Sequence, residues 1–300
     1  MHASERTTTL AAQAFHDTPE LREQARSSDT FAELVDGAQR VTLDGDGRVL
    51  FLVEGDLLYD EDELQLYALQ REAAQRARLA GVATAVDLDP SASLIAMAPG
   101  GRIVRWKPGL VLRYCVLRRS FPTQQQYEVV RTNLAAATEA WQGVCGIEFE
   151  HAAAHDDAPD PSLEPGEIGP GLVFTVRYID AEGLFIAAAF FPTYPPARRR
   201  VFIDPSYFAP QLRFDRIGVL RHELGHVLGF RHEHIRSGAP PVCPDESTFD
   251  IANLTAYDPQ SVMHYFCGGV GSPDLAITAL DRVGAQKVYG LPFSSLLLVQ

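Results

Sequence analysis

The stretch His222-Glu-Leu-Gly-His226-Val-Leu-Gly229-Phe-Arg-His232-Glu-His234 decides how this chain is read. His222 and His226 stand at i and i+4, so on a helix their imidazoles project from one face and can reach a single ion. Glu223 points about a quarter-turn away, a poor place for a third ligand but a good one for hydrogen-bonding a water held by that ion. Gly229 tolerates the left-handed backbone that ends a helix and reverses the chain. That reversal brings His232 round as a third nitrogen. Three neutral imidazoles leave one coordination position open, the donor set of a catalytic zinc site rather than a closed structural one. The pattern predicts a helix over Asp215 to Gly229.

Working outward, Ser261-Val-Met263-His-Tyr265 supplies a methionine and a tyrosine downstream. Upstream, the alternation of Leu110, Leu112, Tyr114 and Val116 predicts a half-buried strand. Tyr127, Val130, Leu134, Ala137 and Trp141 form one apolar stripe and predict a helix over Gln124 to Gln142. Gly146 to Phe149 follows as a short strand, so this region reads as a βαβ unit. Leu172 to Ile179, Phe185 to Phe191 and Arg200 to Asp204 read as further strands, and residues 152–171 as an acidic loop rich in Pro and Gly.

The motif His222-Glu-Leu-Gly-His-Val-Leu-Gly-Phe-Arg-His-Glu-His234 with Ser-Val-Met-His-Tyr265 resembles the astacin family of zinc metallopeptidases, within the metzincin clan. Phe230 after the glycine, Glu233 after the third histidine and the tyrosine two places after the methionine carry the resemblance, which extends over roughly residues 105–290. It implies an α+β metzincin fold: a mixed five-stranded sheet with two long helices above a C-terminal Met-turn subdomain, preceded by a small pro-segment. It implies one catalytic Zn2+ bound by His222, His226 and His232, Glu223 as general base towards a zinc-activated water, Tyr265 as a movable ligand that turns to the oxyanion, and Met263 as the apolar floor of the Met-turn. It also implies an extended protein or peptide substrate, added antiparallel along an edge strand for which Phe185 to Phe191 is the candidate. Glu233 is read either as the partner of a new N-terminus after processing or as an ion-pair partner of Arg231 or Arg236. His234 and His264 are read as hydrogen-bonded neighbours of the site. His151 and His155, also at i and i+4, have no third partner and are read as structural. Arg198-Arg-Arg200 is read as a solvated turn, with contact to acidic substrates as the alternative.

The leading third differs chemically. The chain has a formal charge of −13, and residues 1–100 carry 18 acidic against 8 basic side chains, leaving 21 against 18 for the rest. That acidity excludes nucleic-acid binding, which needs a basic surface. Residues 9–26 read as a helix interrupted by Pro19, Asp44 to Gly47 as a turn, Gly47 to Val53 as a strand, and Asp62 to Ala80 as a helix ended by Gly81. Residues 82–101 read as a linker or an extended crossing segment. Residues 1–100 therefore form an acidic pro-segment before an enzyme at 101–300. Within it, Glu54-Gly55-Asp56-Leu57 resembles the astacin latency motif, with Val53 where the family has Phe. Asp56 is then the carboxylate that closes the metal site until roughly residues 1–95 are removed. Cys243 and Cys267 flank the segment leading through the Met-turn and are expected to pair, whereas Cys115 and Cys145 sit at opposite ends of the predicted βαβ unit, too far apart to bridge. The chain lacks a run of roughly 18 apolar residues, so no membrane span is expected. No signal peptide is visible in residues 1–30, although the resemblance implies an extracellular monomer. Two other functions fit the sequence: a catalytically silent metal-binding protein, and an intracellular metallopeptidase that keeps its N-terminal segment.

Overall fold

The computed structural model describes residues 18–43, 47–80, 85–87, 92–158, 168–236, 238–244, 246, 248 and 251–295. Helices α1 (Pro19–Arg26) and α2 (Asp29–Gly37) lead into strands β1 (Arg40–Thr42), β2 (Val49–Val53) and β3 (Leu57–Tyr59), and then helix α3 (Glu61–Leu79). Strands β4 (Ala85–Asp87) and β5 (Ala92–Met97) precede β6 (Val111–Val116), α4 (Gln124–Gln142), β7 (Glu148–His151), β8 (Leu172–Tyr178), β9 (Ala187–Ala188) and β10 (Arg200–Ile203). The chain closes with α5 (Arg216–Val227), β11 (Phe230–Arg231), β12 (Ile251–Thr255) and α6 (Ala279–Tyr289). The protein is a mixed α+β fold. Among the described residues no helix is long and apolar enough to cross a membrane.

The five-stranded sheet runs β7-β6-β8-β10-β9, with β9 alone antiparallel to its neighbour. Its apolar strands are buried, as parallel strands covered by helices require. The stripe of α4 is buried at Tyr127, Val130, Leu134, Ala137 and Trp141. Trp141 also donates its indole N–H to Arg221 O at 2.9 Å, tying α4 to α5. Helix α5 starts where Asp215 accepts from Gly218 N at 2.6 Å, satisfying one of the amides that a helix start leaves unpaired. Its last carbonyls are taken by side chains from elsewhere: Val227 O by the Trp106 indole and Leu228 O by the Tyr289 hydroxyl, both at 2.7 Å.

Three sequence expectations need correction. Pro19 opens α1 at its first turn, where a missing N–H costs nothing, and does not interrupt a helix; residues 9–17 lie outside the described residues, as do 44–46 of the expected turn, Gly81 and 159–167 of the acidic loop. The run Phe185 to Phe191 shrinks to the two-residue β9. Its aromatics instead turn into the core, Phe190 against Phe174 and Phe191 edge-on to His226. For residues 82–101 the linker alternative falls and the extended one holds: they contain β4 and β5, which complete a second sheet in the order β11-β5-β12-β4. Gly284 of α6 allows β5 to pack closely, because a Cβ there would fall 2.7 Å from Leu94 Cβ.

Helix α6 anchors the segment around Met263. Asp281 closes a capping box with Thr278 and also accepts from Ser261 Oγ at 2.6 Å and Val262 N at 2.9 Å. Charge-assisted bonds of this kind contribute about 1.5–3 kcal/mol each, and their donors are stranded when the carboxylate is removed. Asp281→Ala is therefore expected to lower the unfolding free energy by about 3 kcal/mol or more, measured by denaturant titration, whereas Leu280→Ala on the neighbouring exposed position is expected to stay within about 0.5 kcal/mol of the parent.

Candidate metal centre

Helix α5 aims His222 and His226 at one point, and the turn after Gly229, at φ 92°, brings in His232. Each imidazole is oriented through Nδ1: His222 to Val262 O at 2.7 Å, His226 to Phe230 O at 2.9 Å, and His232 to Glu246, with both carboxylate oxygens at 2.8 Å. With Nδ1–H donated, each ring turns the Nε2 lone pair inward. His232 Nε2 lies 3.3 Å from His222 Nε2 and 3.0 Å from His226 Nε2. Around a tetrahedral ion with metal–nitrogen bonds of about 2.0–2.1 Å, ligand atoms stand roughly 3.3 Å apart. The three nitrogens therefore fit one zinc-sized ion, and the donor set is the nitrogen-rich one zinc favours.

The fourth corner is a carboxylate. Asp56 Oδ2 sits 2.9, 3.2 and 3.4 Å from Nε2 of His232, His222 and His226. Asp56 lies on the tight turn between β2 and β3, where Glu54 and Gly55 both have positive φ, 53° and 86°. A side chain at Gly55 would meet the Tyr265 hydroxyl at 2.8 Å, so glycine permits the close approach. Tyr265 donates that hydroxyl to Glu54 O at 2.6 Å and packs its ring on His232, with centroids 4.1 Å apart. The Glu54 carboxylate is clamped between Arg231 Nη2 at 2.7 Å and the Tyr67 hydroxyl at 2.6 Å. Val53 is buried at the end of β2.

Met263 lies beneath the site with no exposed surface, and a Cβ at position 225 would collide with its thioether, which accounts for glycine inside the motif helix. Glu223 is buried beside the three imidazoles. Burial first, and then the charge of Asp56, push its carboxyl well above the usual carboxylate range. Burial alone would do the same to Asp56, but the His232 and His226 imidazoles hold it well below.

The remaining candidates separate. Glu233 is fully buried and faces Arg236 at 3.3 Å and the Asp258 amide at 3.1 Å. His264 bonds Tyr265 O and the Tyr257 hydroxyl, and His151 joins Tyr127 on the buried Asp156 carboxylate. Cys243 and Cys267 are disulfide-bonded with Cα atoms 5.4 Å apart, and Cys115 and Cys145 are free and buried. Arg198 is not a solvated turn residue: it binds Asp60 and Glu63 at the start of α3, the latter at 3.0 Å. Arg200 is buried. Glu246 and Asp281 complete the centre; Thr278-Ala-Leu-Asp281 has the spacing of a capping box, whereas nothing in the spacing around Glu246 marks it as a neighbour of His232.

The chain resembles the astacin family of zinc metallopeptidases. The likeness lies in the motif residues and in how they converge. No family model matches the chain, and no curated protein matches it. Two solved structures of myroilysin are similar at 16% identity, with TM-scores of 0.44 and 0.39, over 65% and 69% of this chain and 98% and 90% of theirs. High choriolytic enzyme 1, a hatching enzyme zinc-protease from Oryzias latipes (medaka fish), is similar at 17% identity and TM-score 0.37 over 63% of this chain and 94% of its own.

Two measurements test this geometry. Dialysed protein is expected to hold one zinc per chain by elemental analysis, and His226→Ala to lose it. The second concerns the Arg198 contact. Burial pushes Glu63 up to about 7 against the pull of Arg198. The folded chain then holds a proton that the unfolded chain releases, so stability falls as pH rises from about 4.5 to about 7, by at most about 3 kcal/mol. Glu63→Gln is expected to flatten that part of the pH–stability curve.

Proposed function

We propose that the chain is a zinc-dependent endopeptidase of the astacin type, held latent by its own Asp56. The observation that carries this is the Asp56 oxygen at the fourth corner of a three-histidine centre beside a buried Glu223. Zinc bound to His222, His226 and His232 supplies Lewis-acid polarisation of the scissile carbonyl and activation of water. Glu223 accepts the proton of the attacking water and delivers it to the leaving amine. Tyr265, freed from Glu54 O, turns its hydroxyl to the developing oxyanion. Met263 supports the ligands by packing.

Latency acts three ways. Asp56 occupies the coordination position that chemistry needs. Its charge adds to burial in pushing the Glu223 carboxyl upward, against the ionised form a base needs. The pro-segment also takes the substrate's edge: Ala189 N donates to Asp56 O at 3.2 Å, and Leu57 bridges Ala189 in parallel sense. A substrate added antiparallel along the same edge competes for that amide.

Residues 1–100 serve as the latency region and 101–300 as the enzyme, with one refinement. Leu94, Ile95 and Ala96 are at most 1% exposed, and β5 lies between β11 and β12. The cut that releases the turn therefore falls before β5, which stays with the enzyme. The Cys243–Cys267 bridge fits an oxidising, extracellular location.

Cleavage of casein by the full-length chain is the test. Asp56→Ala is expected to raise it at least tenfold. Glu223→Gln in that background is expected to retain zinc and lose activity by about 10²–10⁴. Equal cleavage with and without Glu223 sinks the peptidase reading; no gain from Asp56→Ala sinks the latency reading.

A further inference from the structure

The third imidazole of the metal centre is held differently from the other two. His222 and His226 donate Nδ1–H to peptide carbonyls of neighbouring backbone, and both belong to α5, which sets where their rings can go. His232 lies beyond the helix, at the start of a short 3₁₀ turn, and its Nδ1 is bound by a side chain. That side chain, Glu246, is 1% exposed. Its other neighbours are His234 Nε2 at 3.1 Å and Arg231 Nη2 at 3.9 Å, and Arg231 makes its shorter bond, 2.7 Å, to Glu54. Burying a carboxylate is costly unless donors meet it, so the short contacts to His232 are what keep Glu246 in place.

We infer that Glu246 is the positioning residue of the metal centre: it fixes His232 with Nδ1 protonated and Nε2 aimed at the ion, and its charge strengthens that nitrogen as a donor. This rests on reading the three histidines as a zinc site. Carboxylates placed behind a ligating imidazole act in this way in general, and removing one weakens metal binding by about 10–100-fold. The disulfide explains how a residue from a loop can hold such a position. Glu246 lies three residues after Cys243, and Cys243 is bonded to Cys267, two residues past Tyr265. The bridge thereby ties the Glu246 loop to the segment whose Val262 carbonyl orients His222. One covalent link thus joins the supports of two ligands that come from different parts of the chain.

The test is made on the full-length protein. Zinc affinity is measured by competition with a chromophoric chelator, and ligand geometry by the visible spectrum of the cobalt-substituted form. Glu246→Gln is expected to weaken zinc binding about 10–100-fold and to shift the cobalt bands, with Glu246→Asp recovering part of both. A merely structural glutamate would lower the melting temperature of the metal-free chain and leave the cobalt spectrum of the loaded chain unchanged. The paired change Cys243→Ser and Cys267→Ser is expected to weaken zinc binding in the same direction, and to add less than its full effect on top of Glu246→Gln. Zinc affinity of Glu246→Gln within threefold of the parent, with an unchanged cobalt spectrum, overturns the inference. Full additivity of the cysteine and Glu246 changes overturns the role of the bridge. These readouts need no turnover, so a parent that binds zinc tightly and cleaves nothing defeats the peptidase reading and not this one.

Discussion

Three imidazole nitrogens and a carboxylate oxygen, with neighbours mostly 2.9–3.4 Å apart in a buried site, are the constraint on which the structure turns. Lone pairs so close repel unless an ion lies among them, so each group must be held by something stronger than its neighbours' repulsion. The fold supplies that for every ligand. Helix α5 carries two rings. The backbone at Phe230 and Val262 accepts from their outer nitrogens. Asp281 fixes Val262 in turn, so α6, far along the chain, helps determine where His222 points. Glu246 does for His232 what peptide carbonyls do for the others.

The segment before β4 meets the rest of the chain through carboxylates facing arginines and imidazoles. Glu54 meets Arg231, Asp56 meets the imidazoles, and Asp60 and Glu63 meet Arg198. Arg231 belongs to the ligand motif itself, one residue before His232. The same two-residue strand therefore bears the support of the metal centre and the grip on the turn that blocks it. In the proposed activation, moving the turn would uncover the Asp56 position, the Tyr265 hydroxyl and the Ala189 amide together, because all three are held within the four residues Glu54 to Leu57.

Much of this was legible in the sequence where a period or a short motif carries the information. The apolar stripe of α4, the alternation in β6 and the i, i+4 histidines are local patterns, and the structure contains the corresponding elements. Asp56 was singled out by the resemblance of Glu54-Gly55-Asp56-Leu57 to a family motif, and the structure places its carboxylate against the three imidazoles. What could not be read comes from contacts between distant segments. The Ala- and Ser-rich β5 has a linker's composition, and only its packing on Gly284 and its place between β11 and β12 make it a strand. Arg198 looked like one of three solvated arginines because its partners lie more than 130 residues upstream. Glu246 has no local signature at all, since its task is set by a disulfide and by a ring that arrives from another loop.

The net charge of residues 1–100 takes on a different meaning at this level. Exposed carboxylates contribute little to docking, since water and salt screen them. Four carboxylates out of the 18 acidic residues there, Glu54, Asp56, Asp60 and Glu63, carry the contacts with the arginines and histidines of the rest of the chain. They fall within ten consecutive residues, on the β2–β3 turn, at the residue that opens α3 and in its first turn. The acidity of the segment is spread over its whole length, whereas these four carboxylates are local and stereochemically placed. A buried pair of this kind holds through geometry, so in the proposed latent form closure depends on whether the β2–β3 turn keeps its shape rather than on the total charge around it.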